Sequence, residues 1–176
     1  MSLLTQEHEL VRKTAAEFAQ RFIEPIARKM DRENYYPREV FREAGKLGLL
    51  TPTIPAELGG GGGDLRTAVV ILEEFGRVSG GFSLLTEAYG ILFAHTVYHF
   101  ATQRQREEVL PKVAAGDAVG AFALSEPCCG SDAAAIETRA VRVGGEWRIS
   151  GVKMWITSGL YADYYLVFAR TGPKEA

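Results

Sequence analysis

The chain has 176 residues, of which 20 are Lys or Arg and 22 are Asp or Glu, so its formal net charge is −2. At roughly 150 residues per domain, this length predicts one large or two small compact units. A nearly neutral chain without a basic run lacks the charge that phosphate backbones attract, so we expect no nucleic-acid partner. Its apolar tracts stop far short of the roughly 20 residues of a membrane helix, so we expect no membrane span.

The two cysteines, Cys128 and Cys129, are adjacent. A disulfide between sequence neighbours is strained, so this pair fits a reducing compartment better than an oxidising one. Residues 1–7 become acidic and lack a basic flank that leads into an apolar core, so we expect no secretory signal. Together these features predict a cytoplasmic protein.

Residues 1–117 carry apolar side chains at helical spacing and predict an all-α bundle. Pro25 removes a backbone donor and predicts a bend near Phe22. The glycine-rich stretch Gly59–Gly63 predicts a flexible surface loop. Asp64 and Thr102 are expected to cap the helices that follow them. The helices are expected over residues 4–30, 37–47, 65–77, 82–100 and 102–115.

After Asp117 the apolar period changes from helical to alternating, which predicts strands. A hairpin is expected around Gly144 and Gly145. Other strands are expected over residues 118–124, 152–156 and 164–170. The predicted fold class is therefore α+β, with an amino-terminal all-α helical bundle at 1–117 and a partial antiparallel β domain at 118–176.

Two polar clusters follow predicted strands. In residues 125–132, Pro127 and Gly130 favour a sharp loop from which Ser125 and Ser131 can face one anionic ligand, and an ordinary polar turn is the alternative. In residues 153–159, Trp155 stands at the end of a predicted strand, where ligands often bind. A tryptophan that merely fills the core is the equal alternative there.

Other chemistries find little support. His95 and His99 have the spacing of two metal ligands on one helix face, but Thr96 stands where a zinc protease has its Glu. The glycines at 59–63 lack the Lys and Ser or Thr of a phosphate loop. No nucleophile elbow accompanies a Ser-His-Asp set, and adjacent cysteines lack the spacing of a redox motif. We therefore expect neither metal nor thiol chemistry.

Several separated motifs follow one another in a specific order and spacing: Pro55–Gly60, Glu73–Arg77, Ala123–Pro127, Gly130–Asp132 and Gly151–Thr157. In order and spacing they resemble the acyl-CoA dehydrogenase family. The resemblance implies the family's amino-terminal helical domain and part of its middle β domain, without its carboxy-terminal helical domain. Cys129 departs from the family pattern, which has a small residue there.

The resemblance implies FAD as the cofactor. It places Ser125 near the pyrimidine end of the flavin, the Thr157 hydroxyl near N5, and Ser131 where the acyl-CoA thioester meets the cofactor. It also implies that the helix Leu84–Leu92 helps to line the acyl pocket, although a core role explains that helix equally well. The implied flavin-binding residues are Phe122, Ala123, Leu124, Ser125, Gly130, Ser131, Trp155, Ile156 and Thr157, and Ser131 is also implied to bind substrate.

The implied reaction is α,β-dehydrogenation of an acyl-CoA thioester to trans-2-enoyl-CoA, with electrons passing through FAD to an electron-transferring flavoprotein. The full-length protein is implied to be a homotetramer. The proton-abstracting carboxylate is expected in a carboxy-terminal part that this chain lacks, so no catalytic residue is assigned, and Glu126 is expected to hold loop structure. An acyl-CoA oxidase or flavin monooxygenase, and a non-catalytic binding or assembly fragment, remain alternatives.

Overall fold

The computed structural model describes residues 3–173, so the outermost residues of the two predicted units, 1–2 and 174–176, lie outside it. The α-helices come first: α1 (Gln6–Phe18), α2 (Glu24–Glu33), α3 (Arg38–Lys46), α4 (Leu65–Val78), α5 (Gly80–Glu87), α6 (Thr96–Phe100) and α7 (Gln103–Ala114). The strands follow: β1 (Gly120–Ala123), β2 (Arg139–Val143), β3 (Glu146–Ser150) and β4 (Tyr164–Val167). This order confirms the α+β class.

Two π-helical segments interrupt the long helices. Ala19–Ile23 joins α1 to α2 immediately before Pro25, at the place where a bend was expected. Because proline donates no backbone hydrogen bond, it disturbs the helical ladder just upstream. Ala88–His95 joins α5 to α6. The expected caps are present, since the side chains of Asp64 and Thr102 accept backbone N–H bonds at the starts of α4 and α7.

Aromatic side chains fill the centre of the helical part. The Phe41 ring lies 5.3 Å from the rings of both Phe82 and Tyr89, and Phe75 lies 5.4 Å from Phe82. The Tyr89 hydroxyl contacts the carbonyl oxygens of Val113 and Ala118, which join the end of α7 to the first strand. The predicted helix over 82–100 therefore lies in the core of the bundle.

The glycine-rich loop differs from its prediction. Backbone N–H groups of its last three glycines donate to the carbonyls of Thr51, Pro52 and Ile54 at 2.7 to 3.1 Å. A Cβ at Gly60 would lie 2.1 Å from the Ile54 carbonyl oxygen, so only glycine allows this approach. The expectation of a flexible loop was wrong, because the missing side chains let the loop fold back and bond to residues 51–54.

The strands form two pairs. β2 and β3 run antiparallel around Gly144 and Gly145, whose φ angles of 59° and 90° suit a tight hairpin turn, so the predicted hairpin is confirmed. β1 and β4 run parallel, a pairing that the antiparallel prediction did not include. Parallel neighbours require a long connection, and residues 124–163 supply it.

The strand expected over residues 152–156 is absent from the described chain. Gly151 packs against Thr138, and Trp155 has a φ of 59°, a left-handed conformation that interrupts an extended strand. The sequence alternation there therefore reflects a folded loop.

Residues 36–38, at the start of α3, contact the β part. The Tyr36 and Tyr161 rings stack at 4.6 Å, and the Arg38 guanidinium donates to the Tyr161 carbonyl at 2.9 Å. Asp163 accepts the Val119 N–H at 2.8 Å beside the start of β1. No helix formed by residues 3–173 combines the length and the apolar character needed to cross a bilayer. The boundary between the predicted units near Asp117 remains a prediction.

Candidate functional site

Glu126 is the centre of the polar contacts after β1. Its buried carboxylate accepts hydrogen bonds from the backbone N–H groups of Glu137 at 2.6 Å and Thr138 at 3.0 Å. The Lys153 ammonium donates to the same carboxylate at 2.7 Å and to the Leu124 carbonyl at 2.9 Å. Glu126 therefore joins three segments of the β part, and its expected role in holding the loop is confirmed.

These contacts determine the charge of Glu126. Burial by itself would raise the pKa of this carboxyl, but the hydrogen bonds from Lys153, Thr138 and Glu137 hold the pKa well below its usual range. The carboxylate is consequently ionised at neutral pH and has both oxygens occupied by donors. Sequence analysis assigned no role to Lys153, because a pairing across 27 positions leaves no local pattern.

The loop after β1 and the segment at 153–157 meet side by side. The Met154 N–H donates to the Ser125 carbonyl at 2.9 Å, next to the Lys153 contacts. This bond brings Ser125 beside the segment that carries Trp155, Ile156 and Thr157. The two polar clusters singled out in the sequence thus form one surface, although they are far apart along the chain.

Trp155 projects from this surface. Its side chain is 85% exposed, so the alternative of a core-filling tryptophan is wrong. Trp155 and Ser158 both have positive φ angles, 59° and 63°, which are uncommon for residues with a side chain. Ile156 and Thr157 are half-buried between them. The backbone therefore turns the indole outward beside Ser125.

The remaining predicted residues differ in what they offer a ligand. Phe122 is half-buried against Phe168 at 4.9 Å, and Leu124 and Ser125 are also half-buried. Ala123 is only 3% exposed, so its side chain faces the core. Gly130 and Ser131 are exposed, and a Cβ at Gly130 would meet nothing within 4 Å. The loop is therefore exposed to solvent at Gly130 and Ser131 and buried at Glu126.

A cleft of about 670 Å³ lies between α2 and the start of α5. Its apolar lining includes Met30, Leu84 and Leu85, and its other side includes Ser158 and Tyr161. Since Ser158 directly follows Thr157, the cleft borders the surface that carries Trp155. Leu84 and Leu85 line the cleft, whereas Tyr89, one turn further on, belongs to the core.

The two thiols stand on the same loop. The Sγ atoms of Cys128 and Cys129 are 3.2 Å apart, and both cysteines are free. The neighbouring Cys128 thiol, partial burial and the carboxylates of Glu126 and Glu137 raise the pKa of Cys129 to about 11. At neutral pH the Cys129 sulfur is accordingly a thiol, which is a poor nucleophile.

Two family models match the chain. The model of the amino-terminal domain of acyl-CoA dehydrogenases matches residues 5–117, and the model of the middle domain of acyl-CoA dehydrogenases matches residues 121–176. A probable acyl-CoA dehydrogenase of Bacillus subtilis is 38% identical over 172 residues, which are 98% of this chain and 45% of that protein.

Solved structures agree with these matches. A glutaryl-CoA dehydrogenase of Mycobacterium smegmatis, in complex with FADH2, superimposes with a TM-score of 0.91 at 33% identity, over 96% of this chain and 44% of its own. A chain from the structure of the electron transferring flavoprotein of Acidaminococcus fermentans superimposes with a TM-score of 0.90 at 35% identity. The match covers 98% of this chain and 46% of that chain. This chain thus spans less than half the length of each relative. From the matched models and the shared fold, the chain belongs to the acyl-CoA dehydrogenase family.

Proposed function

We propose that this chain supplies the flavin-facing and acyl-facing surfaces of an enzyme that dehydrogenates an acyl-CoA thioester to trans-2-enoyl-CoA with FAD. The observation that carries the proposal is the Met154 to Ser125 hydrogen bond of 2.9 Å, which joins the two predicted flavin segments beside the cleft. The FADH2 complex of the Mycobacterium smegmatis relative supports FAD as the cofactor.

The residues present fit a flavin. An isoalloxazine is flat, largely apolar on its faces and polar at its edges, so it needs an aromatic surface and nearby donors. Trp155 offers an exposed indole, and Ser125 and Thr157 offer half-buried hydroxyls on the same surface. Gly130 and Ser131 leave the loop open to a long ligand.

When bound, the flavin supplies a two-electron acceptor for the hydride that leaves the β-carbon of the acyl group. The Trp155 indole would cover a ring face and exclude water from it. The hydroxyl groups of Ser125 and Thr157 would donate hydrogen bonds to polar edge atoms, where fixed donors stabilise developing negative charge. The pair of Glu126 and Lys153 holds the backbone from which Ser125 projects.

The cleft of about 670 Å³ is the proposed acyl site, because its volume suits a small ligand and Leu84 and Leu85 line it with apolar surface. Ser158 connects it to the flavin surface. Ser131, exposed on the open loop, is the proposed contact of the thioester end.

The α-proton requires a carboxylate base with a free oxygen and an accessible position. Glu126 meets neither condition, since it is buried and its oxygens accept four hydrogen-bond contacts from nitrogen and sulfur donors. Glu126 is therefore excluded as the base, and we propose that the base comes from residues of the full-length protein outside this chain.

We extend the proposal to the full-length protein's setting: a homotetramer of fatty acid metabolism in the cytoplasm that passes electrons to an electron-transferring flavoprotein. The Acidaminococcus fermentans relative supports that acceptor. The free thiols fit a reducing compartment.

The deciding experiment titrates FAD into the purified chain and follows quenching of tryptophan fluorescence. The chain has two tryptophans, Trp155 and Trp147, and Trp147 lies on the β2–β3 hairpin with a side chain that is also exposed, at 58%. We expect Trp155→Ala to weaken FAD binding at least tenfold and to abolish quenching, because a stacked aromatic face is lost. Trp147→Ala is the matched control and should leave affinity unchanged.

Acyl-CoA added to the FAD-loaded chain tests the position of the base. We expect no bleaching of the flavin absorbance at enzyme-like rates, and rapid bleaching would show that this chain carries its own base. If neither FAD nor acyl-CoA binds, the chain is a non-catalytic assembly fragment. Rapid reoxidation of the full-length reduced enzyme by oxygen would identify an oxidase or monooxygenase instead.

A further inference from the structure

The loop that follows Glu126 carries two thiols whose sulfur atoms converge. Cys128 Sγ and Cys129 Sγ are 3.2 Å apart, and Cys128 Sγ lies 3.7 Å from Glu126 Oε2. One ligand atom from each of these three residues falls within 4.8 Å of the other two. Glu126 is buried and fixed by its hydrogen bonds, whereas Cys128 is exposed. The three groups thus surround one point, with Glu126 held in place and with the two cysteine side chains able to rotate.

A disulfide between Cys128 and Cys129 is disfavoured by the backbone geometry of adjacent residues. Residues joined by a trans peptide have Cα atoms about 3.8 Å apart, which is less than the roughly 4.4 to 6.8 Å that disulfides span. An ion between the sulfurs relaxes this constraint, because it does not require the sulfur atoms to bond each other. At zinc–sulfur distances of about 2.3 Å and a tetrahedral angle, the sulfurs stand about 3.8 Å apart. The observed 3.2 Å is close enough for a small rotation of the exposed Cys128 side chain to reach it.

Space for a ligand is present at the same place. A cavity of about 380 Å³ is lined by Glu126, Pro127, Cys128, Glu137 and the turn at Gly151 and Val152. Glu126 Oε2 accepts the Glu137 N–H at 2.6 Å and faces the Cys128 thiol at 3.7 Å, so loss of the thiol proton on metal binding would free a lone pair of this oxygen for the ion. The cavity therefore gives an ion access to Cys128 and to that oxygen, with room for solvent ligands.

We propose that Cys128, Cys129 and Glu126 form a binding site for a thiophilic divalent cation, of which Zn²⁺ and Cd²⁺ are the representatives. Soft thiolate sulfur selects such ions over Mg²⁺ and Ca²⁺, which prefer oxygen ligands. Binding breaks two S–H bonds, forms two metal–sulfur bonds and releases two protons to the buffer, so no oxidant or reductant takes part. The site stands independently of the proposed function, because none of its ligands requires FAD.

The test is a titration of Cd²⁺ into the purified 176-residue chain in the presence of a non-thiol reductant. Thiolate–cadmium bonds give an ultraviolet charge-transfer band, and these two cysteines are the only ones in the sequence, so the band reports on this site. We expect one Cd²⁺ per chain. Cys128→Ser and Cys129→Ser should each weaken binding at least tenfold, and the double variant should show no band. Competition with Zn²⁺ should displace Cd²⁺ from the wild-type chain.

His99→Asn is the matched control, since His95 and His99 are the chain's other pair at metal-ligand spacing and their rings lie 4.4 Å apart. It should bind Cd²⁺ like the wild type. Circular dichroism checks that each variant is folded, and the exposed Cys128 keeps one thiol variant informative if Cys129→Ser unfolds. The proposal is overturned by one ion per two chains, by Zn²⁺ affinity that survives in the double variant, or by the absence of a band in the folded wild-type chain.

Discussion

At the scale of single residues, the pair of Glu126 and Lys153 shows how a buried charge determines the shape of a loop. The 2.7 Å contact lies where both side chains are largely removed from water, and two backbone N–H groups complete the shell of the carboxylate. A buried ion pair of this kind adds little net stability, but removal of one partner leaves an uncompensated group. We therefore infer that the main role of the pair is to position the Ser125 backbone.

We expect Glu126→Gln to destabilise the chain by about 1.5–3 kcal/mol, because a neutral amide of the same shape places an N–H group among donors that require an acceptor. Urea unfolding measures this loss. Glu146→Gln, an exposed carboxylate at the start of β3, is the control and should change stability by less than about 0.5 kcal/mol.

The same variant carries a prediction about pH. The pKa of Glu126 is lower in the folded state than in the unfolded state. The ionised carboxylate therefore stabilises the fold fully above the unfolded carboxyl pKa of about 4.3, and this stabilisation is lost as the pH falls toward the folded-state pKa. The difference in unfolding free energy between wild type and Glu126→Gln should thus be constant from about pH 6 to pH 8 and should shrink below about pH 4. A difference that grows on acidification would contradict this assignment.

At the scale of elements, β1 can pack closely on the helical part because its first residue, Gly120, has no side chain. Gly120 lies so close to the Phe93 ring that an added Cβ would come within 2.0 Å of it. Phe93 belongs to the π-helical segment between α5 and α6, and it is buried in the main core. This contact fixes β1, and with it the loop that begins at Leu124, against the helical part.

We expect Gly120→Ala to destabilise the chain by at least about 1–3 kcal/mol, because the methyl group forces the strand or the ring to move in a packed core. Thermal unfolding gives the stability, and FAD titration gives the effect on the loop, which should be a weaker affinity. Gly130→Ala is the matched control for the stability measurement alone, since its Cβ meets no atom within 4 Å. Equal stability of the two variants would argue against close packing of β1 on Phe93.

At the scale of the whole molecule, the helical and β parts meet through both buried and exposed contacts. Besides the packing of Gly120 on Phe93, the Tyr36 and Tyr161 rings stack, and Arg38 contacts the Tyr161 carbonyl and the Asp163 carboxylate. The cleft of about 670 Å³ also includes Tyr36 and Tyr161, so both residues line the cleft and the contact between the two parts. Stability and access to the cleft are consequently linked.

Tyr161→Ala should reduce the unfolding free energy by about 1–2 kcal/mol, since it removes one ring of a stacked pair together with part of its buried area. Hydrogen exchange should report faster exchange at the backbone amides of β4, which follows this contact in the chain. Leu160→Ala provides the control, because Leu160 is 95% exposed. Unchanged β4 protection in Tyr161→Ala would show that the parts are held together elsewhere.

Several features were predictable because they depend on neighbours in the sequence. The caps at Asp64 and Thr102 join residues three positions apart, and the hairpin depends on the two glycines at 144 and 145. The segments that carry the candidate site were also identifiable, since Ser125 and Trp155 belong to motifs with specific local residue types. Local periodicity and short spacings suffice for such features.

The composition and local pattern of the sequence by themselves determined most of the helical and strand segments, the family and the residues of both polar clusters. Only the tertiary structure decided that β1 pairs in parallel with β4, that residues 152–156 form a loop, and that the glycine-rich stretch is bonded to residues 51–54. It also decided that Lys153 neutralises Glu126 and that Trp155 is exposed. The physical reason is distance along the chain: burial and pairing across tens of residues depend on where the whole backbone goes, and no local pattern records them.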